Sequence, residues 1–280
     1  MFDQNFIYIS GKCYDSAPPE KWTANELRRD TNQLRQNDMF GAMLDTFHDR
    51  RNGYNFYTNP LGGFADQVVA DEGNPNPDWN PVWQVRTGRF EGGWTAELAI
   101  PFKSIRYVSG LNQTWGIQLR RAIRRKNEWT HLTSVAASNA GRSSIFRLSR
   151  AATLVGLDLP PAGKNLEVKP YGISRVISDR LRTPPVSNDL ERAVGLDAKY
   201  GVTANLTADL TVNTDFAQVE VDEQQLNLTR FSLQFPEKRD FFLEGQNLFN
   251  LGSVGSDMPV LFYSRNIGLQ SGRVVPIIAG

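Results

Sequence analysis

Residues 94–100 read WTAELAI, and the order of these side chains decides the fold. Trp94, Ala96, Leu98 and Ile100 fall on every second position, with Thr95, Glu97 and Ala99 between them. Successive side chains of an extended chain point to opposite faces, so this period sets one face against a core and the other toward water. The stretch predicts a half-buried strand. Trp83, Val85 and Thr87 repeat the device just upstream, and residues 88–93 carry turn formers, which together predict a hairpin. Trp115, Ile117, Leu119 and Ile123 alternate again, with Arg121 interrupting their apolar face.

Strands at this spacing are separated by the turn-rich segments NPLGG (59–63) and DEGNPNPDWNP (71–81). That arrangement predicts an antiparallel β-sandwich over residues 1–158. Helical periodicity is scarce, and the best candidate, residues 25–36, is too polar to bury a face. Paired prolines and two glycines in GLDLPPAGKN (156–165) mark a domain boundary, with a second domain over 159–280. In that domain Val202, Ala204, Leu206, Ala208, Leu210 and Val212 interleave with polar residues without a break. Soluble strands run about 5–6 residues, whereas outer-membrane strands need about 9–11 with alternating lipid and lumen faces. The alternative is a long strand of a soluble sandwich, and the length tips the reading to the outer-membrane strand, with residues 166–177 and 192–200 as neighbouring strands. The fold class is therefore mainly β: a sandwich followed by the first antiparallel strands of an outer-membrane β-barrel.

The totals narrow the function. Among 280 residues, 31 basic and 30 acidic side chains give a net charge of +1, so no global field draws the chain to nucleic acid. One cysteine, Cys13, excludes an intrachain disulfide framework, and its apolar surroundings predict a buried thiol. No run approaches the roughly 18 apolar residues of a membrane helix. The start, MFDQNFIYIS, lacks the parts of a signal peptide. The expectation is a fragment without its signal peptide, cut at the N-terminus of the sandwich and at the C-terminus of the barrel.

Several clusters carry candidate chemistry. Aromatic faces stack on the C–H faces of sugar rings while carboxylates and amides engage the hydroxyls. Trp79 and Trp83, with Asp78 and Asn80, form the candidate sugar platform; the alternative is core packing, which Trp94 and Trp115 follow by their register. Asp45, Asp49 and Asn52 offer oxygen ligands for a calcium ion, or else form a turn between two strands. Asp66, Asp71, Glu72 and Asp78 read as a second acidic loop. Arg120, Arg121, Arg124, Arg125 and Lys126 read as a solvated hairpin end. A hydrolase reading has only two histidines, His48 and His131, no nucleophile elbow and no sequence reason to pair carboxylates such as Asp45, Asp49 and Glu97, so no catalytic residues are assigned. In FPEKRDFFLEG (235–245), Pro236 lacks a backbone donor and is unwelcome in a paired central strand. Pro236, Glu237, Lys238, Arg239, Phe241, Phe242 and Glu244 read as a structural signature at a turn or rim, with ion pairing among the charges.

The strings CYDS (13–16), LDTFHDRRNGYNFYTNPLG (44–62) and W-x-x-E-x-x-IPF (94–102) resemble family-nine carbohydrate-binding modules. They are similar above all to the relatives of these modules at the N-terminus of uncharacterised bacterial outer-membrane proteins. The run from Gly195 to Phe249, with FYSRNIG (262–268), resembles the barrel of unknown function in the same proteins. The resemblance implies an exported, outer-membrane protein with its sandwich outside the cytoplasm. Its partners would be a poly- or oligosaccharide and outer-membrane lipid, and its role glycan recognition or uptake. Two alternatives stand beside this: a transport or structural barrel whose sandwich only docks or plugs, and a role alongside glycoside hydrolases in carbohydrate catabolism. No cofactor is expected apart from calcium at the acidic loop.

Overall fold

The computed structural model describes residues 1–73, 75–77, 79–136, 144–161, 166–179, 184–203, 206–213, 237, 242, 262–267, 269–270, 273–274 and 278–280. The chain divides into two compact units, Met1–Gly163 and Lys164–Gly280. Both are built from antiparallel strands.

The strands of the first unit are β1 (Phe6–Tyr14), β2 (Met39–Asp45), β3 (Gly53–Thr58), β4 (Phe64–Val69), β5 (Gln84–Phe90), β6 (Gly93–Pro101), β7 (Gly110–Ile123), β8 (Glu128–His131) and β9 (Ala152–Leu159). One sheet has the order β1-β6-β5 and the other β4-β3-β2-β7. On the far edge of β7, β9 pairs with its first half and β8 with its last four residues. The stretch 94–100 lies in β6, the central strand of the first sheet. Trp94, Ala96, Leu98 and Ile100 are each 1% exposed or less and join Ala42, Leu44, Phe56 and Trp115 of the facing sheet in one core. This is a β-sandwich. The sheets approach closely where the Phe40 ring lies against Gly11, since a Cβ there would sit 2.7 Å from the ring. The predicted hairpin is β5–β6, and its turn shrinks to Glu91 and Gly92, with Gly92 at φ +88. A positive φ at that point costs glycine nothing. Cys13 is 2% exposed, and burial pushes its thiol up to about 11.

The second sheet departs from simple alternation. Trp115 is buried on its inner face, yet Gln118, Arg120 and Ala122 on its outer face are buried too. Leu34 packs there with Met39, Tyr57, Ala65 and Ala122, and Ile145, Phe146 and Leu148 pack on Met43 and Val69. Of the polar segment 25–36, only Asn32–Gln36 is helical, as a short 3-10 turn. Its neighbourhood is tied by Asn37, whose Oδ1 accepts from the backbone N–H of Asn25 (2.8 Å) and from Asn59 Nδ2 (3.0 Å). A cover of this kind stays in place because side-chain amides satisfy its loop backbone.

Asp66, read from the sequence as part of an acidic loop, stands on β4 with no exposure. Its Oδ1 accepts from Trp83 Nε1 and from Arg29 Nη2, each at 2.7 Å. Burial nevertheless pushes its carboxyl up to about 6 against these two donors. The ordinary carboxylate value is about 3.9. Between those values the folded chain binds a proton that the unfolded chain has released, so this group stabilises the sandwich as pH falls through 6 and destabilises it as pH rises. Asp66→Asn is expected to remove on the order of 1–3 kcal/mol of stability change between pH 7 and 4. Urea midpoints followed by circular dichroism across that range check it, and an unchanged pH slope would contradict it.

The second unit contains β10 (Leu166–Asp179), β11 (Val186–Thr203), β12 (Leu206–Val212), β13 (Leu269–Gln270) and β14 (Arg273–Val274). β10, β11 and β12 form a sheet in chain order, and β13 pairs with β14. Residues 278–280 run antiparallel to 211–213, with Thr211 and Gly280 exchanging N–H···O bonds of 2.8 and 2.9 Å. The unbroken alternation over 202–213 is not one strand: β11 ends at Thr203, β12 starts at Leu206, and these two residues face each other. Alternation reports which face a side chain occupies and is blind to a chain reversal. The long strands are instead β10 and β11, with 14 and 18 residues.

Register sorts this sheet into two unlike faces. Val168, Ala198 and Leu210 share one, as do Gly172 and Val194, and Val176 and Leu190, with Ser174 and the exposed Arg192 in the row between these last two. Along it Val194, Leu166, Val176 and Leu210 are 74%, 65%, 63% and 54% exposed. The other face carries Glu167, Lys199 and Asp209 in one row and Lys169, Asp197 and Thr211 in the next. There the Tyr171 ring covers Gly195, where a Cβ would meet it at 2.2 Å, and its hydroxyl donates to the Asn213 carbonyl at 2.7 Å. A ring laid over a strand glycine restores the packing that the missing side chain would supply. Among the described residues the strands do not close into a barrel. Of the FPEKRDFFLEG signature, Glu237 is buried and Phe242 half-buried, each with an interaction partner. Pro236, Lys238, Arg239, Phe241 and Glu244 lie outside the described residues.

Candidate functional site

Of the residues predicted as a sugar platform, Trp83 and Trp79 are placed differently. Trp83 is 5% exposed, its ring meeting Phe56 and Phe64 edge-on at 5.1 and 5.0 Å while its N–H is taken by Asp66. It is a core tryptophan with no ring face left for a ligand. Trp79 is half-buried, its ring 4.8 Å from Tyr54 and 5.7 Å from Phe56. Asn80 is exposed beside it, and Asp78 lies outside the described residues.

The predicted calcium ligands hold their own loop. Asp45 has no exposure, and its two oxygens accept from the backbone N–H groups of Asp49 (3.1 Å) and Arg50 (2.8 Å). Asp49 Oδ1 accepts from the N–H of Arg51 and Asn52, both at 2.8 Å, and its Oδ2 accepts from Asn52 Nδ2 at 2.6 Å. Asn52 in turn accepts from the Asp71 N–H at 3.0 Å. Side-chain oxygens capping backbone N–H groups are what a tight turn needs, here one with His48 and Arg50 at positive φ. Among the described residues no three acidic, histidine or cysteine side chains converge as a cation site.

A cleft that sequence reasoning missed lies at one end of the sandwich. There the chain leaving β1 meets the β5–β6 turn and the turn Arg124–Lys126 that follows β7. The cleft has a volume of about 300 Å³ and is lined by Tyr14, Asp15, Ser16, Gly92, Ile123 and Lys126. Tyr14 is 65% exposed, and its ring stands edge-on to Phe90 at 5.5 Å. Asp15 is fixed from several sides. Its N–H donates to the Gly92 carbonyl at 2.8 Å, and its Oδ1 accepts from the Ala17 N–H at 2.9 Å. Its carboxylate pairs with the Arg125 guanidinium and, at 3.5 Å, with that of Arg121, which also donates to the Tyr14 carbonyl. Burial pushes the carboxyl up, but the Ala17 N–H and the two guanidiniums together hold it below its ordinary value.

The turn that supplies Arg125 is itself anchored. Asp38 Oδ1 accepts from the Arg124 N–H at 2.6 Å, and the Arg124 guanidinium lies 5.7 Å from the Trp129 ring. The cleft therefore presents an open aromatic ring with the exposed Ser16 hydroxyl and Lys126 ammonium beside it, on a wall held by the buried, ion-paired Asp15 carboxylate. Those groups suit a polyol, which offers apolar C–H faces and hydroxyl edges. In the sequence, more than a hundred residues separate Asp15 from Arg121 and Arg125. The one available hint was Arg121 itself, a cation standing in an apolar register, where a buried acid must meet it.

His131 Nε2 lies 2.7 Å from the Ser144 hydroxyl, the pairing of a base with a nucleophile. Ser144 has no exposure, so no substrate reaches it in this arrangement.

The second unit matches a domain of unknown function (DUF5916), over residues 164–276. The chain is also similar to solved structures of a carbohydrate binding module family 9 (CBM9) from Caldicellulosiruptor kristjanssonii. The one in complex with glucose is 15% identical, with 55% of this chain and 71% of that one covered and a TM-score of 0.37. The one in complex with cellotriose is 15% identical, with 55% and 60% covered and a TM-score of 0.30. No curated protein matches the chain.

Proposed function

We propose that the sandwich binds a glycan at the Tyr14 cleft and that the second unit supplies strands of an outer-membrane barrel, which places the sandwich outside the cytoplasm. The observation that carries the first half is the exposed Tyr14 ring beside the carboxylate of Asp15, held between two arginines. Stacking of the ring on sugar C–H groups supplies the apolar contact, and the exposed Ser16 hydroxyl and Lys126 ammonium on the cleft wall exchange hydrogen bonds with sugar hydroxyls. Binding rather than turnover is the reading, because Ser144, which pairs with His131, is closed to solvent. Tyr14→Ala is expected to weaken binding to neutral glycans by about 3- to 10-fold, as measured by calorimetry on the whole chain. Trp79→Ala serves as the comparison: if it abolishes binding while Tyr14→Ala leaves it intact, the site is the one around Trp79 and Asn80 at the Tyr54 end.

The membrane half is supported by the exposed face of β10–β12 that carries Val168, Val176, Leu190, Val194 and Leu210 and a single cation, Arg192, opposite a more highly charged face. Soluble surfaces rarely carry contiguous apolar patches beyond a few hundred Å², and strands in a lipid-spanning barrel alternate apolar outward with polar inward.

A further inference from the structure

We infer that β10 starts at the periplasmic surface of the outer membrane, so that the sandwich meets partners beneath that membrane and not those outside the cell. This direction rests on the membrane half of the reading above and adds a side to it. Two connections set it. β11 and β12 are joined by the two residues 204–205, whereas β10 and β11 are joined by the six residues 180–185, RLRTPP. Strands of outer-membrane barrels are linked by short turns on the periplasmic side and by longer loops outside. The two-residue turn is therefore the inner end of the sheet.

The apolar face points the same way. Val194, Leu196, Ala198, Tyr200 and Val202 follow one another on alternate positions of β11, over about 26 Å of strand. At the usual tilt of about 40° that is about 20 Å of height, most of the apolar band of a barrel, which is about 25 Å tall. This run continues to the residue before Thr203, where β11 ends at the short turn. In the other direction it stops at the row of Ser174 and Arg192, and both strands continue past that row. Val176 and Leu190 follow there, and then the exposed Ser178 and Asn188, where Ser178 Oγ accepts from the Asn188 N–H at 3.0 Å. A hairpin that overshoots the apolar band at one end and finishes with it at the other has its loop in the outer aqueous phase and its turn at the inner surface. Arg192 then stands at the upper border, where a long side chain keeps its guanidinium among lipid phosphates.

The chain's reach carries the sandwich to the inner side. Register sets Leu166, the first residue of β10, opposite Tyr200, close to the two-residue turn. Six residues, 160–165, join β9 to β10, and fully extended they span at most about 22 Å. That is less than the band of about 25 Å, so a folded sandwich ahead of β10 stays on the side where β10 begins.

The test is cysteine labelling with a maleimide too large for porin channels, on intact cells that make the protein and on the same cells after lysis. The native Cys13 is a silent background, because it is 2% exposed and burial pushes its thiol up to about 11. Pro185→Cys marks the six-residue connection and Ser10→Cys marks the sandwich, both at exposed positions. Ser187→Cys, exposed at the start of β11, is a second marker for the connection. The expected result is full labelling of Pro185→Cys and Ser187→Cys on intact cells and of Ser10→Cys only after lysis. Labelling of Ser10→Cys on intact cells overturns the direction and leaves the membrane reading standing. So does silence of both connection markers before lysis in protein that is heat-modifiable and recovered from outer membranes. Protein recovered from the soluble periplasm, with every marker silent until lysis, overturns the membrane reading and the direction together.

Discussion

Trp94→Ala is expected to destabilise the sandwich by about 3–5 kcal/mol, the cost of emptying a buried aromatic site that cannot fully collapse. Trp94 is 1% exposed and stands opposite Cys13 on β1 and Arg89 on β5. Its backbone has no room to sink into the void. At the adjacent Gly93 a Cβ would already lie 2.3 Å from the Cys13 carbonyl oxygen, so β6 has no slack against β1 at this point. Chemical denaturation followed by far-ultraviolet circular dichroism gives the measurement. A loss below about 1 kcal/mol would mean that β6 is not the centre of the core.

The second large effect belongs to the second unit. A cation on the lipid face of an outer-membrane strand costs about 2–4 kcal/mol near the bilayer midplane and little on the lumen side. Val194 is 74% exposed on the apolar face of β11, and Ala193 beside it is exposed on the opposite face. Val194→Arg should therefore sharply reduce the fraction of heat-modifiable, folded protein recovered from outer membranes. Ala193→Arg should leave that fraction close to the parent. Equal recovery of both variants would contradict a lipid-facing β11, and the exposed apolar face would then need another cover.

These two tests also mark where the sequence was a good guide. In β6 the two-residue period and the burial coincide, so Trp94, Ala96, Leu98 and Ile100 were legible as one inner face. In β7 they do not, because the outer face carrying Gln118 and Arg120 is closed over by distant segments, among them one tied down by Asn37 and Asn59. Local periodicity holds no information about a cover that arrives from elsewhere in the chain. Trp83 went to the core because its N–H finds Asp66, an acceptor that looked from the sequence like one member of an acidic loop. At 202–213 the alternation was read correctly as strand, and the reversal between Thr203 and Leu206 was not.

The candidate site was the least legible part. Tyr14 and Asp15 sit in a four-residue string, and Arg121 and Arg125 sit in a basic cluster that resembles any solvated hairpin end. Only the closing of β1 against the end of β7 makes an ion-paired carboxylate beside an open aromatic ring. Such a pair gains more than an exposed one, because Asp15 is 7% exposed and each of its partners is oriented.

A crystal structure of the whole chain grown with a neutral oligosaccharide tests the central claim most directly. The account predicts a sugar ring stacked on Tyr14 with its hydroxyls bonded to Ser16 and Lys126. A saccharide seated instead on Trp79, or an empty cleft at saturating ligand, would contradict it.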